Sequence, residues 1–483
     1  MGQRPIRFGT SGWRGVIGEE ITLARTHALA RAVGRWLRES GAPPRALVAR
    51  DTRPGGEALV RVAAAALAAE RIRVACSAGA TPTPVAARAV VTRGFGAGLV
   101  FTASHNPPAH HGLKVIGADG AVLSEAPSRG IERLSEEWLA APPPAAKPAA
   151  AARLDLVPEY VEALAGRLDL SALAAARPRV LYDAMHGAGA GVLDRLLARA
   201  GARVETRNGR RDARFRGRGP DPVPDRLAAL AAAVRRARGL RLGLANDGDA
   251  DRYAAVDADG RILSASQTVA LLVDHLARTG RASRGVAISL ATGSLVERVA
   301  RAHGLAVSRH PIGFKWLSRE LLEGRADCAG EESGGFVWVA QGADKDGILA
   351  GALLAELVAV SGAPLGARLA ELERRHGPCH CGRTAVPASA GALERLAAVS
   401  AAPPGRVEGA RVRAVDRSDG LRLELDDGFL MLRGSGTEPA LRVYAEASSA
   451  AGLRARLGRG ARWLGAGASG KLAIFRRKSE PSR

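Results

Sequence analysis

The stretch R-A-L-V-A-R-D-T-R-P-G-G-E-A-L-V-R-V-A-A-A-A-L-A-A-E-R-I-R-V-A-C, Arg45 to Cys76, reads as strand, polar turn, helix and strand. The apolar run Arg45 to Arg50 leads into Asp51, Gly55 and Gly56 open an alanine-rich helix, and a strand pattern resumes near Ile72–Cys76. This rhythm argues for a mainly parallel sheet with helices on both faces. The same alternation extends outward. Thr22 is placed to cap a helix running to about Ser40, and Gly98–Phe101 reads as a further strand. A second unit follows, with strands Arg179–Tyr182, Arg203–Thr206 and Arg241–Ala245 around a helix at 225–238. A third begins near Asp257, with a helix at 265–279, strand Val286–Leu290 and a helix at 294–303. Between Arg411 and Ala447 strands dominate, with a helix on either side. The expected fold class is α/β: three similar doubly wound domains plus a smaller C-terminal α+β domain. The expected boundaries are 1–145, 153–256, 257–376 and 377–468, then a basic tail at 469–483. The Ala/Pro run from Ala140 to Ala152 reads as a linker.

The 483 residues are 47% apolar and 24% charged, which excludes a mostly disordered chain. The best apolar stretch, Ile348 to Val360, contains Glu356 and falls well short of the roughly 20 residues needed to span a bilayer. No apolar run near the N-terminus suits a secretion signal, and four cysteines make no disulfide framework, so the expected location is cytoplasmic. The net charge of +22 raises the question of nucleic acid. Only six of the 70 basic residues are lysine, however, and aromatics are 4%, a pattern that GC-rich codons explain and that leaves little to stack on bases. Neither nucleic acid nor a membrane is expected as a partner. Where arginine has replaced lysine almost everywhere, the remaining lysines mark positions suited to a compact ammonium. Lys114, Lys315 and Lys345 each fall in a Gly-containing segment, while Lys147 lies in the linker and Lys471 and Lys478 in the tail.

Five segments carry chemistry. F-T-A-S-H-N-P-P-A-H-H-G-L-K, Phe101 to Lys114, follows a strand and sets Ser104 where ligands collect in parallel sheets. Ser104 beside His105 reads as a nucleophile with a base, or as a polar loop satisfying its own backbone. N-D-G-D-A-D-R, Asn246 to Arg252, puts Asp247, Asp249 and Asp251 within five residues. Two such charges about 4 Å apart repel by roughly 4 kcal/mol at an effective dielectric of 20, which a hard cation, magnesium or calcium, would relieve. An EF-hand is excluded, since its glycine and glutamate positions hold Arg252 and Ala258. R-G-S-G-T-E-P-A-L-R, Arg433 to Arg442, combines open backbone N–H groups with two forked cations and suits a phosphate. G-E-E-S-G-G, Gly330 to Gly335, with P-I-G-F-K-W at Pro311 to Trp316, offers Glu331 and Ser333 to sugar hydroxyls. In R-F-G-T-S-G-W-R-G, Arg7 to Gly15, Arg14 can reach an anion. His376, Cys379, His380 and Cys381 are zinc-type ligands lacking a second cysteine pair, and His105, His110 and His111 fit no familiar zinc spacing.

Taken in order, these segments resemble the α-D-phosphohexomutase family, which includes phosphoglucomutase and phosphomannomutase. The likeness runs from about Arg7 to the helix near residue 460. It implies four domains around a central cleft and an isomerase interconverting hexose 1-phosphate and 6-phosphate through a hexose 1,6-bisphosphate, which also primes the enzyme. Ser104 would carry the phosphoryl group. One Mg2+ would be held by Ser104, Asp247, Asp249 and Asp251, with Arg14, Lys114, His105 and Arg252 as the remaining catalytic groups. Glu331 and Ser333, with Gly313 and Lys315, would read the sugar. Arg433, Ser435, Gly436, Thr437 and Arg442 would hold the non-reacting phosphate. The partners implied are small sugar phosphates, on a monomer or homodimer.

The residues support this chemistry independently, because phosphoryl transfer needs charge neutralisation and in-line placement more than covalent help. Three positions depart from the family's pattern. Gly335 stands where histidine is common, His110 and His111 stand where Tyr-Asn is common, and Pro54, Gly55 and Gly56 replace a usual serine. The general base therefore stays open, with Lys114 first, on the expectation that nearby cations push it toward neutrality, and His105 second. The E-E-S-G-G form favours glucose and mannose phosphates. Phosphoglucosamine is the alternative substrate, and a magnesium-dependent phosphatase using Asp247 as nucleophile is the competing reaction class.

Overall fold

The computed structural model describes residues 5–140, 151–435 and 439–465. Most of the expected linker, Gly436 and Thr437 of the phosphate segment, and the basic tail lie outside these residues. Thr22 does cap the first helix, Leu23–Glu39, by accepting a hydrogen bond from Arg25 N at 3.2 Å.

The first sheet comprises β1 (Trp13–Val16), β2 (Arg45–Arg50), β3 (Arg73–Ala80), β4 (Ala97–Phe101), β5 (His110–Gly117) and β6 (Ala152–Leu154), ordered β1-β5-β4-β2-β3-β6. Strands β4, β2, β3 and β6 run parallel, whereas β4–β5 is an antiparallel hairpin and β1 pairs antiparallel with β5. The second sheet has β7 (Arg179–Asp183), β8 (Arg203–Arg207), β9 (Arg241–Asn246) and β10 (Tyr253–Val256), ordered β10-β9-β7-β8. The third has β11 (Gly285–Ser289), β12 (Ala306–His310), β13 (Cys328–Glu331) and β14 (Gly335–Trp338), ordered β12-β11-β13-β14. Both repeat the plan of a parallel core ending in one antiparallel hairpin, β9–β10 and β13–β14. The fourth sheet is wholly antiparallel: β15 (His380–Pro387), β16 (Arg406–Val407), β17 (Ala410–Asp416), β18 (Leu421–Leu425), β19 (Gly428–Gly434) and β20 (Ala440–Ala447), ordered β15-β20-β19-β18-β17-β16. Three α/β units and a smaller α+β unit are thus present. Because β6 pairs with β3, the chain crosses to the second sheet only after Leu154, beyond the Ala/Pro run.

Parallel sheets must be covered on both faces, and the apolar run at Ile348 supplies part of that cover. It forms helix Gly347–Ser361, which is buried from Gly347 to Ala359 and joins one core running from the first unit through the third. Its N-cap, Asp346, accepts from Leu349 N at 2.9 Å and from the Tyr160 hydroxyl at 2.6 Å. Among the described residues no single helix is long and apolar enough to cross a membrane. The fourth sheet keeps a separate core, with Leu423, Leu430 and Val443 packed among Leu453 and Leu457 of helix Ala450–Trp463.

This architecture places the chemistry. The serine segment is the β4–β5 connection, the aspartate segment the β9–β10 connection, the sugar segment the β13–β14 connection and the phosphate segment the β19–β20 connection. Each unit therefore presents one hairpin to a common centre. The second and third hairpins are stitched together, since Tyr253 N donates to Gly334 O at 3.0 Å and Arg252 bridges Gly335.

Candidate active site

The serine connection is fixed by an arginine that the sequence reading did not single out. Arg53 is wholly buried, and its guanidinium donates to the carbonyls of Ser104 (2.6 Å), Asn106 (2.7 Å), Pro107 (2.9 Å) and His110 (3.0 Å). Its Nε donates to Asp51 Oδ2 at 3.2 Å, and Thr102 Oγ1 donates to the same oxygen at 2.7 Å. Ser104 is held at φ 51°, in the left-handed region that a residue with a side chain enters at a cost. The bend brings its hydroxyl to Asp247: Oγ donates to Asp247 Oδ2 at 2.6 Å, with His105 Nδ1 at 3.3 Å. The loops touch closely, and a Cβ on Gly248 would stand 2.6 Å from Ser104 O.

Asp247, Asp249 and Asp251 are buried and each brings a carboxylate oxygen within 4.8 Å of the others. Asp249 Oδ1 and Asp251 Oδ1 are buried without a hydrogen-bond partner. Orphaned oxygens of this kind fit a hard divalent cation such as magnesium. Burial, and repulsion from Asp249 and Asp251, push Asp247 well above the usual carboxylate range. Burial also opposes the charge on Asp251, but Lys114, Lys345 and Arg252 outweigh it and hold that group well below the range.

Lys114 differs from expectation. Its ammonium donates to Asp249 Oδ2 at 2.6 Å and also to Asp251 Oδ2. Burial opposes its charge, yet the two carboxylates hold its pKa above the ordinary lysine value, so the neighbouring cations do not neutralise it. His105 has the opposite setting. Burial, then Arg252 and Arg14, keep it neutral well below the ordinary histidine range. A neutral imidazole beside the serine hydroxyl makes His105 the first candidate base.

Ser104 and the three aspartates are buried and line no cavity wall themselves; through His105, Arg252 and Lys345 they adjoin a chamber of about 110 Å³ whose wall gathers Arg14, His105, Arg252, Gly313, Glu331, Ser333, Arg433, Ser435 and Arg442. Residues expected from separate segments therefore meet at one cavity. Ser333 Oγ donates to Glu331 Oε1 at 2.5 Å, Arg14 Nη1 donates to Asn106 Oδ1 at 3.0 Å, and Arg433 Nε donates to Asp419 Oδ1 at 3.0 Å. Asp419 also accepts from Ile312 N at 2.8 Å, tying the fourth unit to the third beside the chamber. Arg433 and Arg442 face each other across the β19–β20 register. Lys315 is not on this wall. It sits in the first turn of helix Phe314–Leu322, with Nζ 5.1 Å over the Trp316 ring and 3.8 Å from Glu125, and it lines a different cavity. Lys345, which the shortage of lysine marked, does line the chamber, as do Arg383 and Tyr444, which nothing in the sequence marked. A larger cavity of about 460 Å³ shares His105, Glu332, Ser333, Arg383, Arg442 and Tyr444 with it.

Comparison with known proteins follows the same division. The α/β/α domains I, II and III of phosphoglucomutase/phosphomannomutase match residues 5–141, 158–260 and 264–376, and the C-terminal domain matches 383–457. The phosphoglucomutase/phosphomannomutase of Thermococcus kodakarensis is 31% identical over 92% of this chain and 94% of its own length. The chain belongs to the phosphoglucomutase/phosphomannomutase family. It is thereby a phosphohexomutase, an isomerase that transfers a phosphoryl group intramolecularly. A phosphoglucosamine/phosphogalactosamine mutase of Sulfurisphaera tokodaii is 30% identical, over 91% of this chain and 95% of its own. A crystal structure from Thermus thermophilus, solved as a candidate phosphomannomutase, superimposes with a TM-score of 0.83 at 33% identity, covering 96% of this chain and 99% of the other.

The structure explains the glycine by which this phosphohexomutase departs from its family's sugar loop. A Cβ on Gly335 would stand 2.5 Å from Lys345 Cδ and 2.9 Å from Cγ. The lysine chain fills the space a side chain would need, and its Nζ lies 3.3 Å from Asp251 Oδ2 and 4.0 Å from Glu331 Oε1. Gly335→His is therefore expected to displace Lys345 and lower kcat at least tenfold rather than restore a family feature. Steady-state kinetics check this: activity equal to or above the parent would show that the lysine's position is immaterial.

Proposed function

We propose that this phosphohexomutase interconverts the 1-phosphates and 6-phosphates of glucose and mannose, with Ser104 as the phosphoryl carrier. The supporting observation is the Ser104 hydroxyl resting 2.6 Å from Asp247 and 3.3 Å from His105, which lines a chamber that also carries Arg433 and Arg442. In this reading Asp247, Asp249 and Asp251, with the phosphoryl group on Ser104, hold Mg2+, which when bound neutralises the transferring oxygens and orients them. Arg14 and Arg252 spread charge over the same group from the chamber side. Glu331 and Ser333 hydrogen-bond the sugar hydroxyls. Arg433, Ser435 and Arg442, together with Gly436 and Thr437, hold the phosphate that is not reacting. His105 takes the proton of the attacking sugar hydroxyl as that oxygen bonds to phosphorus, the Ser104 Oγ–P bond breaks, and the proton passes from His105, 3.3 Å away, to the departing Ser104 Oγ; the return transfer runs in reverse. The 1,6-bisphosphate then turns over and returns its other phosphoryl group to Ser104, so a bisphosphate primes any unphosphorylated enzyme. Closure of the chamber excludes water, which would otherwise make the enzyme a phosphatase.

A second reading takes glucosamine phosphate as substrate, and the Sulfurisphaera relative's name supports it. A coupled assay with glucose-, mannose- and glucosamine-phosphates, with and without bisphosphate primer, tests both. The proposal expects kcat/KM for glucose or mannose phosphate to exceed that for glucosamine phosphate at least tenfold, and the reverse order would overturn it. Arg433→Ala is expected to raise KM for hexose phosphates about 10- to 100-fold, the loss typical of a charge-assisted hydrogen bond, with magnesium affinity unchanged. A defect that added magnesium repairs would count against the phosphate-holding role.

A further inference from the structure

Two of the four cysteines meet far along the chain from the aspartate segment. Cys379 Sγ and Cys381 Sγ are 3.3 Å apart, and each sulfur lies within 4.8 Å of the other and of a Glu446 carboxylate oxygen. Glu446 reaches this place because it stands opposite Cys381 in the β15–β20 ladder. Both sulfurs lie against Gly293, whose missing Cβ would stand 2.6 Å from Cys381 Sγ and 2.8 Å from Cys379 Sγ. Gly293 is the N-cap of helix Ser294–Ala302 in the third unit, so the cluster occupies the seam between the third and fourth units.

The surroundings suit the charge on Glu446, while the neighbouring thiol, burial and Glu446 itself hold Cys381 protonated until a cation arrives. Ser294 N donates to Glu446 Oε2 at 2.7 Å, the Ser294 hydroxyl donates to Oε1, and Arg298 lies 3.9 Å away. The helix's positive end faces the same carboxylate. Each carboxylate oxygen retains a second lone pair for another partner. Cys379 and Glu446 are buried, whereas Cys381 stands on the wall of the 460 Å³ cavity, which has room for a water molecule. His376 and His380, the zinc-type residues beside the cysteines in sequence, are not in the cluster. His380 lies between the cysteines, and alternation along the chain places it on the opposite face. The carboxylate takes their place.

We propose that Cys379, Cys381 and Glu446 bind a thiophilic divalent cation, zinc by its chemistry, with water as the fourth ligand. Zn–S bonds of about 2.3 Å in a tetrahedron hold two sulfurs about 3.8 Å apart, so the thiols need part by only about 0.5 Å. Binding balances as Zn2+ plus two thiols and one carboxylate giving the bound ion and two released protons; no oxidant is involved. Softness of the donors separates this site from the all-oxygen aspartate trio, which prefers magnesium. The ion would cross-link the start of β15 to β20, whose Glu446 already accepts hydrogen bonds from Ser294 of the third unit.

The test uses the full chain, stripped with chelator and then titrated with zinc or cobalt in the presence of excess magnesium. One zinc is expected to remain after dialysis, two thiols to become protected from a thiol reagent, and cobalt to show sulfur-to-metal charge-transfer absorption. Cys381→Ser and Glu446→Gln should each weaken zinc binding at least tenfold, and a circular dichroism spectrum matching the parent's shows that the fold survives. Should the serine variant misfold, thiol protection and the cobalt spectrum of the parent decide alone. Equal zinc retention in parent and variants, cobalt spectra without sulfur bands, or loss of two thiols to a disulfide without metal uptake would each overturn the proposal.

Discussion

Ser104→Ala should lose phosphohexomutase turnover by about three orders of magnitude or more, the scale on which removal of a covalent carrier acts. The buried contact with Asp247 gives the reason. The Ser104 hydroxyl is the group 2.6 Å from Asp247, and the backbone around it is set by Thr102 and Arg53 rather than by its own side chain. Alanine therefore leaves the loop, the aspartates and the chamber wall in place, and binding of hexose phosphates should stay within a few-fold of the parent. Calorimetry for binding and a coupled assay for turnover separate the two quantities. Transfer of label from a bisphosphate sugar gives a third reading: the parent should carry phosphoserine at 104 and the variant no label. Label on Asp247 would replace the mutase with the aspartate-dependent phosphatase, and near-normal turnover in the variant would remove Ser104 from the mechanism altogether.

Arg53→Leu should be the most damaging change outside the reacting groups. Leucine removes the donor to four carbonyls of the serine connection and leaves Asp51 buried without its cation. Breaking a buried ion pair from one side costs about 3–5 kcal/mol, so a marked fall in denaturation midpoint is expected. Asp51 adds a pH dependence. Burial, against the pull of Arg53, already raises its pKa to about 6. A carboxyl raised on folding contributes stability that is fully present below its unfolded pKa and is lost as pH climbs from there through the folded value, and removing Arg53 raises that folded value further. The destabilisation of Arg53→Leu should therefore be larger at pH 8 than at pH 5, where the carboxyl can take up a proton. Arg53→Lys should recover part of the midpoint, yet little activity, because an ammonium cannot span the four carbonyl acceptors as the planar fork does. Equal stability of the leucine variant and the parent at pH 8 would refute this account.

Much of this was legible in the sequence because it is local. Asp247, Asp249 and Asp251 follow an apolar strand, Thr22 announces its helix, and the shortage of lysine drew attention to Lys114 and Lys345, both of which reach the aspartates. The same signal pointed to Lys315, which helix geometry turns onto Trp316 instead. Contacts between distant segments were not legible. Arg53 resembles any arginine in a turn until β2 and the β4–β5 hairpin are folded together, and Glu446 looks like an ordinary strand residue until β20 pairs with β15. The protonation of Lys114 failed for the same reason, since its neighbours in sequence do not include the carboxylates that hold it.

The four hairpins have an evolutionary corollary. Under the proposed function, carrier, ion cradle, sugar reader and anion grip would arrive on separate polypeptide units, each braced by its own sheet. On that footing a lineage could change the side chains at 331–333 to accept a new hydroxyl pattern while the serine and aspartate hairpins keep theirs, so specificity could drift faster than chemistry.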